Sequence, residues 1–550
     1  MPHPGLGGAG ARDFAVFERP DMRHRIKPLD AVLETARKHS LERSLGPVQL
    51  MLLGVGAIIG TGIFVLTAAA AQKAGPGMIW SFVIAGGVCA LAALCYSELA
   101  SMVPVSGSAY TYTYAVVGEL LAWTVGWALI LEYAVAASAV SVGWSGYFMG
   151  LIESWTGLSL PQQLTAGPAW SFSGVDFSHG VVNLPAIVVA LSVTGLLVVG
   201  TKESAMFNAV LVVVKVTALT LFIALTLPAG DSAHFQPFAP NGWFGPEGTS
   251  GLGIVGAAAS IFFAYVGFDA VSTAAEETRN PQRNVPIGLI GSLAICTVFY
   301  LLVTIGAIGT IGAQPTALGV QPGSAEFARE CAALAARGET PLVCSDEALA
   351  HVLRAINESW AGDLVGIAAN IALPSVILMM LYGQTRIFFV MARDGLLPER
   401  LARVHPKWKT PHVVTILTGF FVAIAAALLP VGKLADISNS GTLFAFFMVS
   451  IAVLVLRRRD PDRHRPFRVP MVWIIAPLAA VGCVALFVNL PFEAMLVLPI
   501  WGVIGLVAYA LFGYRNSHVG RGLTEVHELD RDAPDQPVPP IFSQPQTTEE

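Results

Sequence analysis

Charge is scarce in this sequence. Only 13% of the 550 residues are Asp, Glu, Lys or Arg, about half the share of an ordinary soluble domain. Histidine is absent where catalysis would need it. All eleven lie in the termini, in loops or at the ends of apolar stretches. Buried haem, a histidine-ligated metal and a Ser-His-Asp hydrolase therefore lack their ingredients, and neither an enzyme nor a metal or cofactor is expected. There is no GxxxxGK[ST] phosphate loop, and the polar segments are too short for an ATPase, which removes ATP-driven chemistry. No basic cluster points to nucleic acid. The first 47 residues lack a short apolar core with a small-residue cleavage site, so no cleavable signal peptide is expected.

What is abundant is apolar surface, 54% of the residues. It is gathered into stretches of about 18 to 25 residues, each long enough to cross some 30 Å of hydrocarbon. Twelve are legible, at 48–70, 79–103, 121–150, 183–201, 206–228, 251–274, 286–312, 361–391, 411–430, 435–456, 469–490 and 494–514, numbered spans 1 to 12 below. The expected class is an all-α integral membrane protein with its transporting part over 48–514. Residues 1–28 read as a disordered N-terminus, 29–47 as a short interfacial helix and 515–550 as a disordered tail.

Basic residues retained beside span ends mark the cytoplasmic side. With the N-terminus inside, only Lys73, Arg329, Arg337, Arg354 and Lys433 of the 32 basic residues fall outside, and Lys215 falls within span 5. Both termini are thus expected in the cytoplasm, with the chain multi-pass in the plasma membrane. Of six cysteines, Cys89, Cys95, Cys296 and Cys483 lie in apolar spans as small core residues. Cys331 and Cys344 lie in the long loop 313–360, which the charge pattern places outside, where a disulfide is chemically permitted.

Two spans are interrupted by glycine in corresponding ways. Span 1 contains GVGAIIGTGIF (54–64), and span 6 contains FFAYVGFD (262–269) after GLGIVGAAAS. Paired broken helices mark a transporter site between inverted repeats, here about 48–228 and 251–456, leaving 469–514 as two extra helices. The glycine run is no dinucleotide fingerprint, because no alternation of strands and helices surrounds it. Close helix packing through Gly56 and Gly60 remains an alternative role. Unwinding would free amides around Ile58, Thr61 and Gly62 for a carboxylate, and carbonyls at Phe263, Ala264 and Val266 for an ammonium. A donor cluster facing an acceptor cluster describes an α-amino acid site.

Lys215, in VLVVVKVTALTLF, is too central in span 5 to reach water easily. An uncompensated charge there costs about 2.5 to 3.5 kcal/mol on insertion scales. It must be paired, hydrated or neutral for part of a cycle, which suits proton coupling; static packing is the alternative. Glu132, in ALILEYAVAAS, is similarly central in span 3 and is expected to face the cavity, with a structural hydrogen bond to an unwound segment as the other reading. Asp269, after the span 6 break, suits a cap on exposed amides. Glu98, Glu276 and Glu277 lie near span ends, where hydration or gate salt bridges are ordinary.

The segments KHSLERSLGPVQLMLLGVGAIIGTGIF, ILEYAVAASAVSVGWSGY, FFAYVGFDAVSTAAEETRNPQRNVPIG and YGQTRIFFVMARDGLLPERLARVHPKWKTP resemble the amino acid, polyamine and organocation (APC) permeases, nearest the cationic amino acid transporter branch. The resemblance covers about 30–515. It implies the LeuT fold, a 5+5 inverted repeat plus two C-terminal helices, and secondary active uptake of neutral or cationic L-amino acids by alternating access. It also implies that Lys215 replaces a bound sodium ion and carries the coupling proton, that Phe263 is the aromatic gate over the substrate, and that Leu373 of span 8 walls the side-chain pocket. A leucine there makes the pocket small, favouring neutral or small amino acids. An exchanger or facilitator on the same scaffold and a non-transporting amino acid sensor are the rival readings. The expected partners are the amino acid and membrane lipid, with a monomeric transport unit because the site forms within one chain. The chain departs from the family's commoner pattern in the loop 313–360 and in a lengthened loop over 151–182.

Overall fold

A computed structural model describes residues 25–27, 45–103, 108–171, 174–177, 180–200, 205–408 and 410–521. The interfacial helix expected at 29–47 falls almost wholly outside these residues, as do 1–24 and 522–550. The regular structure is helical apart from a two-stranded ladder, Ala169–Ser171 with Gly174–Asp176, in the loop after span 3, and a single bridge between Leu45 and Thr278.

Every apolar stretch is a helix or a broken helix. Span 1 runs as Pro47–Ile58, Thr61–Phe64 and Leu66–Ala74; span 6 runs as Gly253–Ile261, a tight turn Phe262–Tyr265, and Ala270–Thr273. The remaining spans are Met78–Met102, Glu119–Thr156, Leu184–Val199, Ala205–Thr226, Pro281–Ile311, Ser359–Arg393, His412–Leu428, Val431–Arg459, Val472–Phe487 and Phe492–Ala508. Prolines at the first turns of spans 1 and 7 start those helices where no amide is needed. Span 3, at 38 residues, is about 57 Å long at 1.5 Å per residue and so extends past a bilayer core.

The packing shows the repeat. Span 2 lies on span 7, span 3 on span 8 and span 4 on span 9, so equivalent helices of the two halves pair. Spans 1, 2, 6 and 7 form one body, and spans 3, 4, 8 and 9 form another. Span 12 is tied to span 3 by stacked Trp127 and Trp501, each indole donating to the other's backbone carbonyl.

Three segments read as loop or tail have structure that composition does not reveal. Ser108–Val116 is a buried helix whose Tyr110 donates to Asp394 Oδ2 at 2.8 Å and whose Tyr114 donates to Glu119. Residues 514–521 fold back onto the basic-rich face: Ser517 and His518 are buried, Ser517 donates to Glu119, and the His518 amide donates to the Asp394 carbonyl. The loop 313–360 holds helices Ala325–Ala335 and Ala348–Ala355, and Cys331 and Cys344 are joined in a disulfide. The second helix is a plug rather than a surface decoration. Its Ala348, Leu349, Val352 and Leu353 are buried, and the Leu349 amide donates to the Tyr147 hydroxyl, which in turn donates to Phe64 O at 2.8 Å.

Glu347, just before this helix, is wedged against Gly150 of span 3 and paired with Arg354, which also reaches Asp363 of span 8 at 3.1 Å. Burial pushes its carboxyl up to about 7, Arg354 pulls it down, and Asp346 and Glu153 push it up again. A carboxyl raised in the docked plug favours docking at low pH and loses that contribution as pH rises through about 7. Hydrogen exchange of 348–355, corrected for intrinsic rates, should show protection falling from about pH 4.5 to about 7 and levelling off above, with His351, held low by burial, opposing the fall in the upper part of that range. Glu347→Gln should flatten the change, and pH-independent protection in the wild type would refute it.

Candidate functional site

The two breaks lie against each other because the backbone there is stripped of side chains. A Cβ at Gly62 would overlap the Cα and Cβ of Ala264, so only glycine lets span 1 approach span 6 this closely. Gly267 has φ +112°, a conformation open to glycine and strained for other residues, and its α-carbon faces the Ala57 carbonyl.

Thr61 and Gly62 open a new helical turn after the break, so their amides have no acceptor within that turn. Ile58 differs from the sequence expectation: it ends the first half-helix, and its carbonyl, not its amide, is turned to the break. Thr61 is buried beside Gly143 of span 3, and its hydroxyl has no hydrogen-bond partner among the described residues. Across the gap, Phe263 and Ala264 lie in the tight turn and Val266 follows it in extended backbone; all three are buried. The Phe263 carbonyl accepts the Val266 amide at 3.2 Å. Leu373 is buried one turn before Val376 on span 8, and Val376 contacts Gly60, which puts both side chains on the wall facing the break.

Lys215 is 1% exposed, and its Nζ donates to Gly56 O at 2.7 Å. That carbonyl belongs to the last turn of the first half of span 1, the negative end of a helix dipole, where a cation is stabilising. Span 5 thus holds the broken end of span 1 through one ammonium.

Glu132 is not brought to the Thr61 side of the break but to its far end, beside Asp269. Thr61 lies opposite Gly143, and the eleven residues from Glu132 to Gly143 amount to about 16 Å of helix. Glu132 is instead buried against Gly441 and Thr442 of span 10 and faces Asp269. Asp269 accepts the Tyr133 hydroxyl at 2.9 Å. Position in an apolar run reveals the depth of a side chain, not which gap in the bundle it faces.

Sequence reasoning marked Glu277 for a salt bridge at a span end but missed the other contacts that tie the two ends. At the basic-poor face, Lys73 of span 1 pairs with Asp436 of span 10 at 3.0 Å, and Ser260 of span 6 bonds to both; all three are buried. At the basic-rich face, Lys27 pairs with buried Asp394 at 2.8 Å, Arg25 with Glu119 at 3.1 Å, and Arg386 lies 3.9 Å from Glu277. Leu45 adds a backbone bridge to Glu277 and Arg279. The available signal was a lone charge at the rim of an apolar span, as at Lys73 and Asp436.

Two interrupted helices within one four-helix body, their breaks apposed and turned to the other body, define a membrane transporter of the LeuT type. The family model "Amino acid permease" matches residues 45–509, and the chain belongs to that family. It is 44% identical over 492 residues to the branched-chain amino acid permease BcaP of Bacillus subtilis (strain 168), covering 90% of this chain and 97% of the relative. It is 40% identical to the methylthioribose transporter of the same organism, over 90% and 98% of the two chains. It is 36% identical to the vacuolar cationic amino acid transporter 2 of Arabidopsis thaliana, over 80% of this chain and 64% of the relative.

Proposed function

We propose that this permease imports L-amino acids across the plasma membrane by alternating access, driven by the inward proton gradient, with both termini in the cytoplasm. The observation that carries the reading is the apposition of the Thr61 and Gly62 amides with the carbonyl-bearing turn at Phe263–Val266, while Lys215 holds the Gly56 carbonyl behind the break. The amides suit the substrate carboxylate and the carbonyls its ammonium.

Charged Lys215 stabilises the negative end of the first half-helix. Loss of its proton removes that hold, so proton release and half-helix movement are one event. Binding of substrate and of the proton would together bias the closing of one end, by Lys73 with Asp436, against the other, by Lys27 with Asp394.

Neutral substrates suit the pocket better than cationic ones. Leu373 and Val376 wall it, and Glu132, the acid that could balance a lysine or arginine side chain, sits about 16 Å along span 3 from the point opposite Thr61 and is turned to Asp269. The likeness to a branched-chain permease supports this reading. Uptake of labelled leucine, alanine and arginine into proteoliposomes, with and without an inward proton gradient, tests it. Leucine or alanine should accumulate under the gradient. Arginine taken up faster at equal concentration would overturn the neutral preference, and uptake indifferent to the gradient would leave an exchanger or facilitator.

A further inference from the structure

The loop that joins span 10 to span 11 holds six arginines in the twelve residues 457–468, against Asp460 and Asp462. The loop is built rather than loose. Buried Glu98 of span 2 accepts from Nε and Nη2 of Arg457 at 2.7 Å each and from the Val469 amide at 2.8 Å, and Arg465 Nε lies 3.3 Å from it. Arg465 also donates to the Pro461 carbonyl at 3.0 Å and to the Arg463 carbonyl at 2.8 Å. Arg463 lies 3.6 Å from Asp460. Arg458, Arg459 and Arg468 are exposed, and none has a carboxylate partner among the described residues. The arginines outnumber the two aspartates and Glu98 twofold, so the folded loop keeps a surplus of positive charge at one place on the basic-rich face.

That surplus stands at the head of an apolar track. The Arg458 guanidinium lies 5.4 Å from the centroid of the exposed Trp473 ring, in the first turn of span 11. Tryptophan favours the level of the lipid headgroups. Further along the span Ile474, Leu478 and Val481 are exposed, and their spacing of four and three residues sets them along one face of the helix. Guanidinium forks suit phosphate oxygens, and the track suits an acyl chain. A free phosphate or an acidic peptide would leave the track bare.

We propose that this loop and the outer face of span 11 form a binding site for an anionic phospholipid, its phosphate on Arg458, Arg459 and Arg468 and an acyl chain along Ile474, Leu478 and Val481. Arg457 and Arg465 are left to hold the loop on Glu98. The bound lipid ties span 11 to span 10, which carries Asp436 at its other end.

The test is native mass spectrometry of the purified full chain in detergent, titrated with dioleoylphosphatidylglycerol or with dioleoylphosphatidylcholine, which has the same chains and no net charge. The wild type should bind the anionic lipid at least about tenfold more tightly, and Arg458→Gln, Arg459→Gln and Arg468→Gln made together should lose that preference. Arg400→Gln, Arg403→Gln and Lys407→Gln made together remove the same charge from the loop seated on spans 8 and 9 and should keep it. Equal affinity of the wild type for the two lipids overturns the proposal before any substitution is made. So does a preference that survives the first triple change or is lost in the second. Displacement of the lipid by sodium phosphate, where sodium chloride of equal ionic strength does nothing, also overturns it and leaves a site for a free anion.

Discussion

Gly62→Val abolishes transport, and Gly62→Ala reduces it by at least about tenfold, if the two breaks must touch. The added Cβ meets the backbone of Ala264, and backbone cannot rotate out of the way as a side chain can. Overpacking of this kind costs about 1 to 3 kcal/mol, and here the cost falls on the contact that pairs amides with carbonyls. Gly87→Ala in span 2 is the control, because a Cβ there meets nothing within 4 Å. Initial uptake rates normalised to purified protein decide the matter. Gly62→Ala transporting as well as Gly87→Ala would show that the breaks do not need close approach.

The second large effect is expected at Lys73 and Asp436. Lys73 is 2% exposed and Asp436 4%, so removing one partner leaves a buried charge without its counter-ion, a loss of about 3 to 5 kcal/mol. Because the pair joins span 1 to span 10, the loss falls on the arrangement closed at the basic-poor face. Lys73→Met and Asp436→Asn should each cut uptake severely and lower the thermal unfolding temperature by several degrees. The exchanged pair, Lys73→Asp with Asp436→Lys, should recover more transport than either single change. Either single variant with normal uptake and normal Tm would reduce the pair to decoration.

Much of this architecture is legible in the amino-acid order because a bilayer constrains it so strongly. Every stretch read as a span is helical, and Gly60 and Gly267 sit at the two interruptions, whereas Gly54 and Gly56 lie inside the first half-helix and pack closely on spans 7 and 5. Lys215 was marked by the cost of an intramembrane charge alone, and the structure gives that charge the Gly56 carbonyl. What stayed hidden depends on contacts between distant segments. Lys73 and Asp436 are 363 residues apart, and neither sequence neighbourhood points to the other. Tyr300 carries no charge to draw notice in an apolar helix, yet its hydroxyl meets a carbonyl of each break. Glu132 has the depth expected of a site residue but faces Asp269, because helix register and not depth chooses the partner. The fold-back at 514–521 was lost in the polar composition of the tail that follows it.

The most direct test of Lys215 as the coupling group is accumulation of labelled leucine in proteoliposomes under an inward proton gradient, comparing wild type with Lys215→Met, which keeps an unbranched apolar stem of similar length and removes the charge. Wild type should concentrate leucine above the outside level, while Lys215→Met still exchanges leucine across the membrane but no longer concentrates it. Gradient-driven accumulation that survives in Lys215→Met would contradict a coupling role and leave Lys215 a structural cation.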